Sequence, residues 1–140
     1  MSLATLHACA VTFWLGILGA EVIIERSRAE SRAHGYAVAR NHFWIDMLLE
    51  LPAALAVLVT GFLLFRSVPL TSTLAVKIVA GLIAVGANAY CVYPVVLRKR
   101  AAEADRVDDV IRYSRAIDAS GVVGVPAAVI ALGLGLFLSV

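Results

Sequence analysis

The chain has 140 residues, of which 61% are hydrophobic and 16% charged, and its formal net charge is +2. Its mean hydropathy is +0.91. Soluble domains are usually about 45–50% apolar, so this chain carries more apolar surface than one small soluble core can bury. The composition excludes an ordinary soluble domain and indicates a single-domain integral membrane protein whose partner is the lipid bilayer. No nucleic-acid partner is expected.

Four apolar segments are long enough to cross a bilayer as helices, which takes about 20 residues each. They lie at about 3–25, 42–65, 71–97 and 119–140. Lipid offers no hydrogen-bond partner to an open backbone, so each segment is predicted to be α-helical. The sequence therefore predicts an all-α fold, a membrane four-helix bundle formed by residues 1–140.

The basic residues predict the orientation of the bundle. Of the twelve Lys and Arg residues, ten fall in the segments 26–40 and 98–115. Because Lys and Arg concentrate in cytoplasmic loops, both segments are predicted to be cytoplasmic loops, and both termini to face outside. The expected location is the bacterial inner membrane, with several passes. Apolar residues at helical spacing within 101–115 also predict a short surface helix there.

Ionisable residues occur where the apolar segments should be buried in lipid. The first helix ends with Glu21 and Glu25, and the stretch "NHFWIDMLLELP" places His42, Asp46 and Glu50 four residues apart. Residues four apart share one helix face, and both groups lie at the cytoplasmic end of their helices. Intramembrane charges cost at least about 2.5–3.5 kcal/mol each and usually mark a functional site.

These carboxylates and the imidazole predict a metal site. Clustered carboxylates repel one another and need protons, cations or Arg partners, and this O/N ligand set suits iron, manganese or zinc. Helical bundles build such sites from Glu and His, although the Glu-x-x-His spacing typical of them is absent here. The five predicted metal ligands or proton carriers are Glu21, Glu25, His42, Asp46 and Glu50.

Other interpretations of the same residues stay open. Glu25 beside Arg26, and His42 at a helix start, also fit an interfacial position. The acids also fit a proton relay, an ion path or structural hydrogen bonding. Four helices are few for a transport path, so a proton-coupled transporter predicts a homodimer or a larger membrane complex. An accessory or assembly subunit without chemistry is a further alternative.

A second polar group is predicted near the outer side, where His7 and Lys77 lie one to two turns inside their helices. His7 fits either a structural hydrogen bond or an axial ligand of a b-type haem. Lys77 is expected either to snorkel outward to the interface or to contact an acidic or carbonyl-rich group, and the haem hypothesis places it near a propionate or as a second ligand.

The segment "LHACAVTFWLGILGAE" resembles the first helix of small bacterial membrane proteins of the HemJ-type (protoporphyrinogen oxidase) and CopD-type (copper-resistance) families. The segments "LPAALAVLVTGFLLF" and "VKIVAGLIAVGANAYCVYPVVLRKR" resemble their second and third helices. The resemblance implies that His7 and Lys77 take part in haem binding and activity. The chain departs from that pattern in "GAEVIIER" and in the series His42, Asp46 and Glu50, which favours a relative with its own acidic site.

The leading hypothesis is a membrane protein that binds a transition metal for redox chemistry or metal handling. If it is an enzyme, metal-assisted oxidation is the expected reaction type, and the haem-dependent oxidoreductase is the alternative.

Overall fold

A computed structural model describes residues 2–138, and this part of the chain folds into helices without a strand. The elements are α1 (Leu3–Arg26) with a 3₁₀ turn (Ser27–Ala29), α2 (Arg32–Ile45), a π-helical turn (Asp46–Glu50), α3 (Leu51–Phe65), α4 (Ser72–Glu103) and α5 (Val107–Leu138). They form four spans long and apolar enough to cross a membrane, at Leu3–Ala29, Arg32–Phe65, Ser72–Glu103 and Val107–Leu138. The prediction of an all-α, four-helix membrane protein is confirmed.

The helices are longer than the predicted apolar segments. The second span begins ten residues earlier than position 42, α4 continues past position 97, and α5 begins well before position 119. The predicted surface helix at 101–115 is not a separate element, because it forms the end of α4 and the start of α5. Ala, Arg, Lys and Glu, which are strong helix formers, make up the whole α4 extension and half of the α2 extension, whereas the α5 extension starts with Asp108 and Asp109 in its first turn, where acidic residues favour a helix. The last two positions of the predicted fourth helix, 139–140, lie outside the described residues.

The extended helices leave short connections. Only residues 104–106 join α4 to α5, and Asp105 turns the chain there with φ of 58°, a left-handed conformation that Asp tolerates better than most residues. Ser2, Ser31 and Thr71 cap the first turns of α1, α2 and α4, each accepting a backbone N–H three residues on. Such caps satisfy donors that a helix start leaves free.

The helices pack as two pairs. Helix α5 packs along α4 in the largest interface, α1 packs on α3, and α2 packs on α4, whereas α1 touches α5 only slightly. The core where the pairs meet is built from two large residues and several alanines: Trp14, Ile17, Ala53, Ala54, Ala84, Ala127 and Ala128. Small residues let membrane helices approach closely, while large side chains such as Phe13, Phe62 and Leu82 face outward, as a lipid-facing surface requires.

The π-helical turn determines how the second span presents its acids. The Leu51 N–H bonds to the carbonyl of Asp46, five residues back instead of four. Pro52 follows directly, and a proline ring in a regular α-helix clashes with the carbonyl four residues before it. The wider turn accommodates that ring, and π-turns of this kind are frequent at functional sites. Asp46 and Glu50, at the two ends of the turn, are both buried.

Candidate metal centre

His42 lies at the centre of the buried polar residues, and its side chain is 4% exposed. Its Nε2 lies 3.2 Å from Oδ1 of Asp46, one turn on, and 3.8 Å from Oε1 of Glu21 on α1. One ligand atom from each of these three residues lies within 4.8 Å of the other two. The group of Glu21, His42 and Asp46, here called the acid–imidazole cluster, therefore has a composition and spacing that can hold a metal ion.

Two carboxylate oxygens of the cluster are buried without a hydrogen bond. Among the residues that the structure describes, neither Glu21 Oε1 nor Asp46 Oδ1 has a hydrogen-bond partner, although both residues are more than nine-tenths buried. Burying a charged oxygen without compensation is costly, and nearly all buried polar atoms in proteins are paired. A cation or a shared proton between these oxygens and the imidazole satisfies them.

Glu25 holds the opposite edge of the His42 ring. Its Oε1 lies 2.5 Å from His42 Nδ1. The same carboxylate accepts two bonds from Arg98, at 2.6 and 2.8 Å, and one from Arg28 at 2.9 Å. The sequence predicted Glu25 as a ligand, but the structure places it outside the acid–imidazole cluster, in the position of a carboxylate that orients a metal-binding histidine.

The contacts of His42 Nδ1 indicate which nitrogen carries the proton. A contact of 2.5 Å between an imidazole nitrogen and a carboxylate oxygen requires a proton between them. Arg98 Nη2 also lies 2.8 Å from Nδ1. Because a guanidinium can only donate hydrogen bonds, Arg98 cannot accept the Nδ1 proton, and its Nη2 donates to Glu25 instead. With the proton on Nδ1, Nε2 of His42 faces Asp46 and Glu21, where the neutral imidazole presents a lone pair and the imidazolium presents a second N–H.

Arg98 is the site residue that sequence reasoning missed. It lies in a segment predicted to be a cytoplasmic loop, yet it is 1% exposed and also reaches Ser114 on α5 at 3.3 Å. The signal that could have found it is the spacing on α4. Residues on one helix face recur there at alternating steps of four and three, a 4-3 repeat that runs into the basic segment: Ala84, Asn88, Cys91, Val95 and Arg98. Lys99 and Arg100 do not fall on this face.

Glu50 lies one turn deeper than the acid–imidazole cluster. It is 5% exposed, and the Asn88 side-chain amide donates to its Oε1. Glu50 is thus buried beside the acid–imidazole cluster, but its hydrogen-bond partner, Asn88, lies on α4.

The outer predicted pair, His7 and Lys77, has different neighbours. His7 Nδ1 lies 2.8 Å from the Thr60 hydroxyl, and that hydroxyl donates to the carbonyl of Ala56 at 2.6 Å. Nδ1 therefore carries the proton, and Nε2 keeps its lone pair. Lys77 lies against α5, where a Cβ on Gly135 would come within 3.2 Å of Nζ. Thr60 supplies the partner expected if His7 makes a structural hydrogen bond, and haem binding by His7 stays a prediction.

Taken together, the fold and the cluster define a four-span membrane protein with a buried, acid-rich polar centre between its first three spans. No protein-family model, no curated protein and no solved structure matches the chain. The resemblance to HemJ-type and CopD-type proteins therefore stays a prediction, and function is argued from the residues themselves.

Proposed function

We propose that this protein binds a divalent transition metal within the membrane, at Glu21, His42 and Asp46, and uses it in membrane redox chemistry or metal handling. The observation that carries the proposal is the environment of His42 Nε2. With one proton on Nδ1 toward Glu25, Nε2 faces two carboxylate oxygens at 3.2 and 3.8 Å. In the neutral imidazole, the Nε2 lone pair and the two anionic oxygens repel one another, and either a metal cation or a second proton on the imidazole relieves this repulsion.

The charge balance of the site supports a divalent ion. Three buried carboxylates and the partly buried Glu25 face one buried guanidinium, and Arg98 compensates Glu25. Among the described residues, the only buried cationic partner left for Glu21 and Asp46 is His42 when it is doubly protonated. A divalent cation neutralises these two carboxylates. Glu50, with its oxygen on the Asn88 amide, is satisfied by a single proton.

The ligand set suits particular metals and leaves room for chemistry. One imidazole nitrogen and two carboxylates favour iron, manganese or zinc over the soft metals that prefer thiolates. Three protein ligands leave at least one coordination position for another molecule, as in catalytic sites. When bound, the metal would supply redox or Lewis-acid chemistry there. Glu25 and Arg98 would hold the imidazole in orientation, and Glu50 would offer a carboxylate beside the open side.

Elemental analysis of the purified protein tests the proposal. The protein in detergent, reconstituted with iron, manganese or zinc, is expected to retain about one ion per chain. Glu21→Gln and Asp46→Asn remove one anionic ligand each with little change of shape and are expected to lower metal affinity by at least about tenfold. Glu103→Gln and Asp108→Asn are matched controls on exposed positions and should bind as the wild type does. Wild-type protein without stoichiometric metal, or full retention in Asp46→Asn, would overturn the proposal.

Visible absorption of the same preparation tests the haem alternative. A Soret band that disappears in His7→Ala, with the content of other metals unchanged, would favour a b-type haem protein. An accessory subunit without chemistry predicts that Asp46→Asn and Glu21→Gln leave cofactor content and host phenotype unchanged.

A further inference from the structure

A cavity of about 730 Å³ lies between α1 and the α4–α5 pair, here called the lateral cavity. Its volume is in the range of ligand sites in proteins, about 300–1,000 Å³. Apolar and small residues of α1, α4 and α5 form most of its wall, and Glu21, His42 and Glu50 line it from the side of the acid–imidazole cluster. A molecule in this space would lie directly beside the proposed metal.

The lateral cavity opens to lipid and is bounded on the cytoplasmic side. The Arg28 guanidinium makes a two-point ion pair with Asp118 of α5, at 2.8 and 2.6 Å, and both residues line the cavity. Along the rest of their length α1 and α5 touch only slightly. Val22 and Val122 line the gap and are 46% and 75% exposed, on a surface that faces acyl chains. An occupant therefore enters from the bilayer and is itself soluble in lipid.

The deep end of the lateral cavity holds a buried donor that the metal site does not use. Trp14 is 3% exposed, and among the described residues its Nε1 makes no hydrogen bond of normal geometry, although the Glu50 carboxylate lies close enough to interact with it. Glu21 lies seven residues on, about 10 Å along the helix at 1.5 Å per residue. A buried indole N–H usually finds an acceptor, so the cavity offers this donor with Glu50 at one end and Glu21 toward the other.

We propose that the lateral cavity binds a lipid-soluble quinone or quinol. A ring with oxygens at opposite edges gives the Trp14 N–H an acceptor and brings its other edge toward Glu21 and the metal centre. Its apolar tail leaves through the gap between Val22 and Val122. A plain acyl chain fits less well, because it would leave the Trp14 N–H and Glu21 Oε1 without a hydrogen-bond partner. The binding does not require the metal, so the proposal goes beyond the metal site although the two share a wall.

Fluorescence of Trp14 tests the proposal directly. The chain has two tryptophans, and Trp44 is 53% exposed, so Trp44→Phe leaves Trp14 as the only indole. Titration of this variant in detergent with decylubiquinone is expected to quench its emission saturably, at one quinone per chain. Decylbenzene, which has the tail and a ring without oxygens, is expected to displace no bound quinone.

Two glycines of α5 provide matched variants. A Cβ at Gly121 or at Gly133 meets nothing within 4 Å, so both sites accept larger side chains, but only Gly121 lines the lateral cavity. In the Trp44→Phe background, Gly121→Leu should weaken quinone binding by at least about tenfold because the side chain fills ligand space. Gly133→Leu should change it by less than about twofold. Gly121→Ala should be intermediate, which separates filling of the cavity from loss of folding.

Several outcomes would overturn the proposal. One is quenching that rises linearly with quinone and is equal in Gly121→Leu and Gly133→Leu. Another is displacement of the quinone by decylbenzene at equal concentration. Metal content measured on the same samples separates the two proposals: metal retained without quinone binding refutes the lateral cavity alone, and quinone binding without metal refutes the metal site alone.

Discussion

Arg98 and Glu25 form a two-point ion pair across 73 residues of sequence, with Nη2–Oε1 at 2.6 Å and Nη1–Oε2 at 2.8 Å. The pair joins α4 to α1 at the level of His42, and Arg98 is 1% exposed. It compensates a buried carboxylate and holds it against the imidazole. The orientation of the acid–imidazole cluster thus depends on Arg98, a residue of a third helix. Among the proposed ligands Arg98 contacts only His42, at Nδ1, and it also holds Glu25.

Arg98→Met is expected to destabilise the protein strongly. Removing one partner of a buried ion pair leaves the other charge uncompensated and typically costs about 3–5 kcal/mol. The matched control is the next residue: Lys99 pairs with Glu103 at 2.7 Å, a partly exposed pair, so Lys99→Met should cost at most about 1 kcal/mol. Unfolding in mixed micelles, followed by circular dichroism, compares the two. A loss of free energy of unfolding in Arg98→Met as small as that in Lys99→Met would show that the Arg98–Glu25 pair is not structurally important.

The sequence predicts Glu25 as a metal ligand, whereas the structure places it against the opposite edge of the His42 ring, and these two roles can be tested separately. If Glu25 only orients His42, Glu25→Gln should lower metal affinity by about 10–100-fold, while Asp46→Asn, which removes a ligand, should lower it further. Competition with a chelator of known affinity measures both. Equal and complete loss in the two variants would make Glu25 a direct ligand, as the sequence alone predicted. Thermal unfolding of each variant checks that the protein remains folded.

The sequence was sufficient for the architecture because lipid imposes simple rules. An apolar segment of about 20 residues must be helical and must span, so four helices could be predicted without knowledge of their packing. The same rule sets only a minimum length. It could not show that the second span begins at Arg32 or that α5 begins at Val107, because these extensions depend on capping and on helix propensity outside the membrane core.

The site was harder to predict than the fold. Spacing by four residues correctly placed His42 beside Asp46, and matching depth placed Glu21 near them. Counting basic residues assigned Arg98 to a cytoplasmic loop, because the count does not tell which guanidinium faces inward. The π-helical turn before Pro52 also changes which direction Glu50 faces, and Asn88 of α4 then binds it. The 4-3 repeat on α4 places Asn88 and Arg98 on the inward face, but which residue of another helix each one contacts has no local sequence signal.

Cysteine labelling tests the predicted orientation in the membrane. With Cys9 and Cys91 replaced by Ala, single cysteines at Ala104 and Ser67 occupy exposed connections on opposite sides of the predicted bundle. A maleimide that does not cross membranes should label Ser67→Cys in intact cells and Ala104→Cys only after permeabilisation, because basic segments stay cytoplasmic. The reverse pattern would place both termini in the cytoplasm.

The Arg28–Asp118 pair is expected to act as a closure of the lateral cavity more than as a source of stability. The side chains are 29% and 49% exposed, and such pairs contribute about 0–1 kcal/mol, so Asp118→Asn should unfold nearly as the wild type does. Cys91 lines the cavity and is partly buried, whereas Cys9 is exposed elsewhere on the chain. A water-soluble thiol reagent added from the cytoplasmic side should therefore label Cys91 several-fold faster in Asp118→Asn.

Cys9 serves as the internal reference for that experiment, since its labelling should not change. Asp109→Asn is the matched control, because Asp109 pairs with Arg106 and Arg112 at 3.4 and 2.9 Å and does not line the lateral cavity. Mass spectrometry of peptides that contain each cysteine measures the rates. If Asp118→Asn and Asp109→Asn gave the same Cys91 rate, the Arg28–Asp118 ion pair would not limit access from water to the lateral cavity.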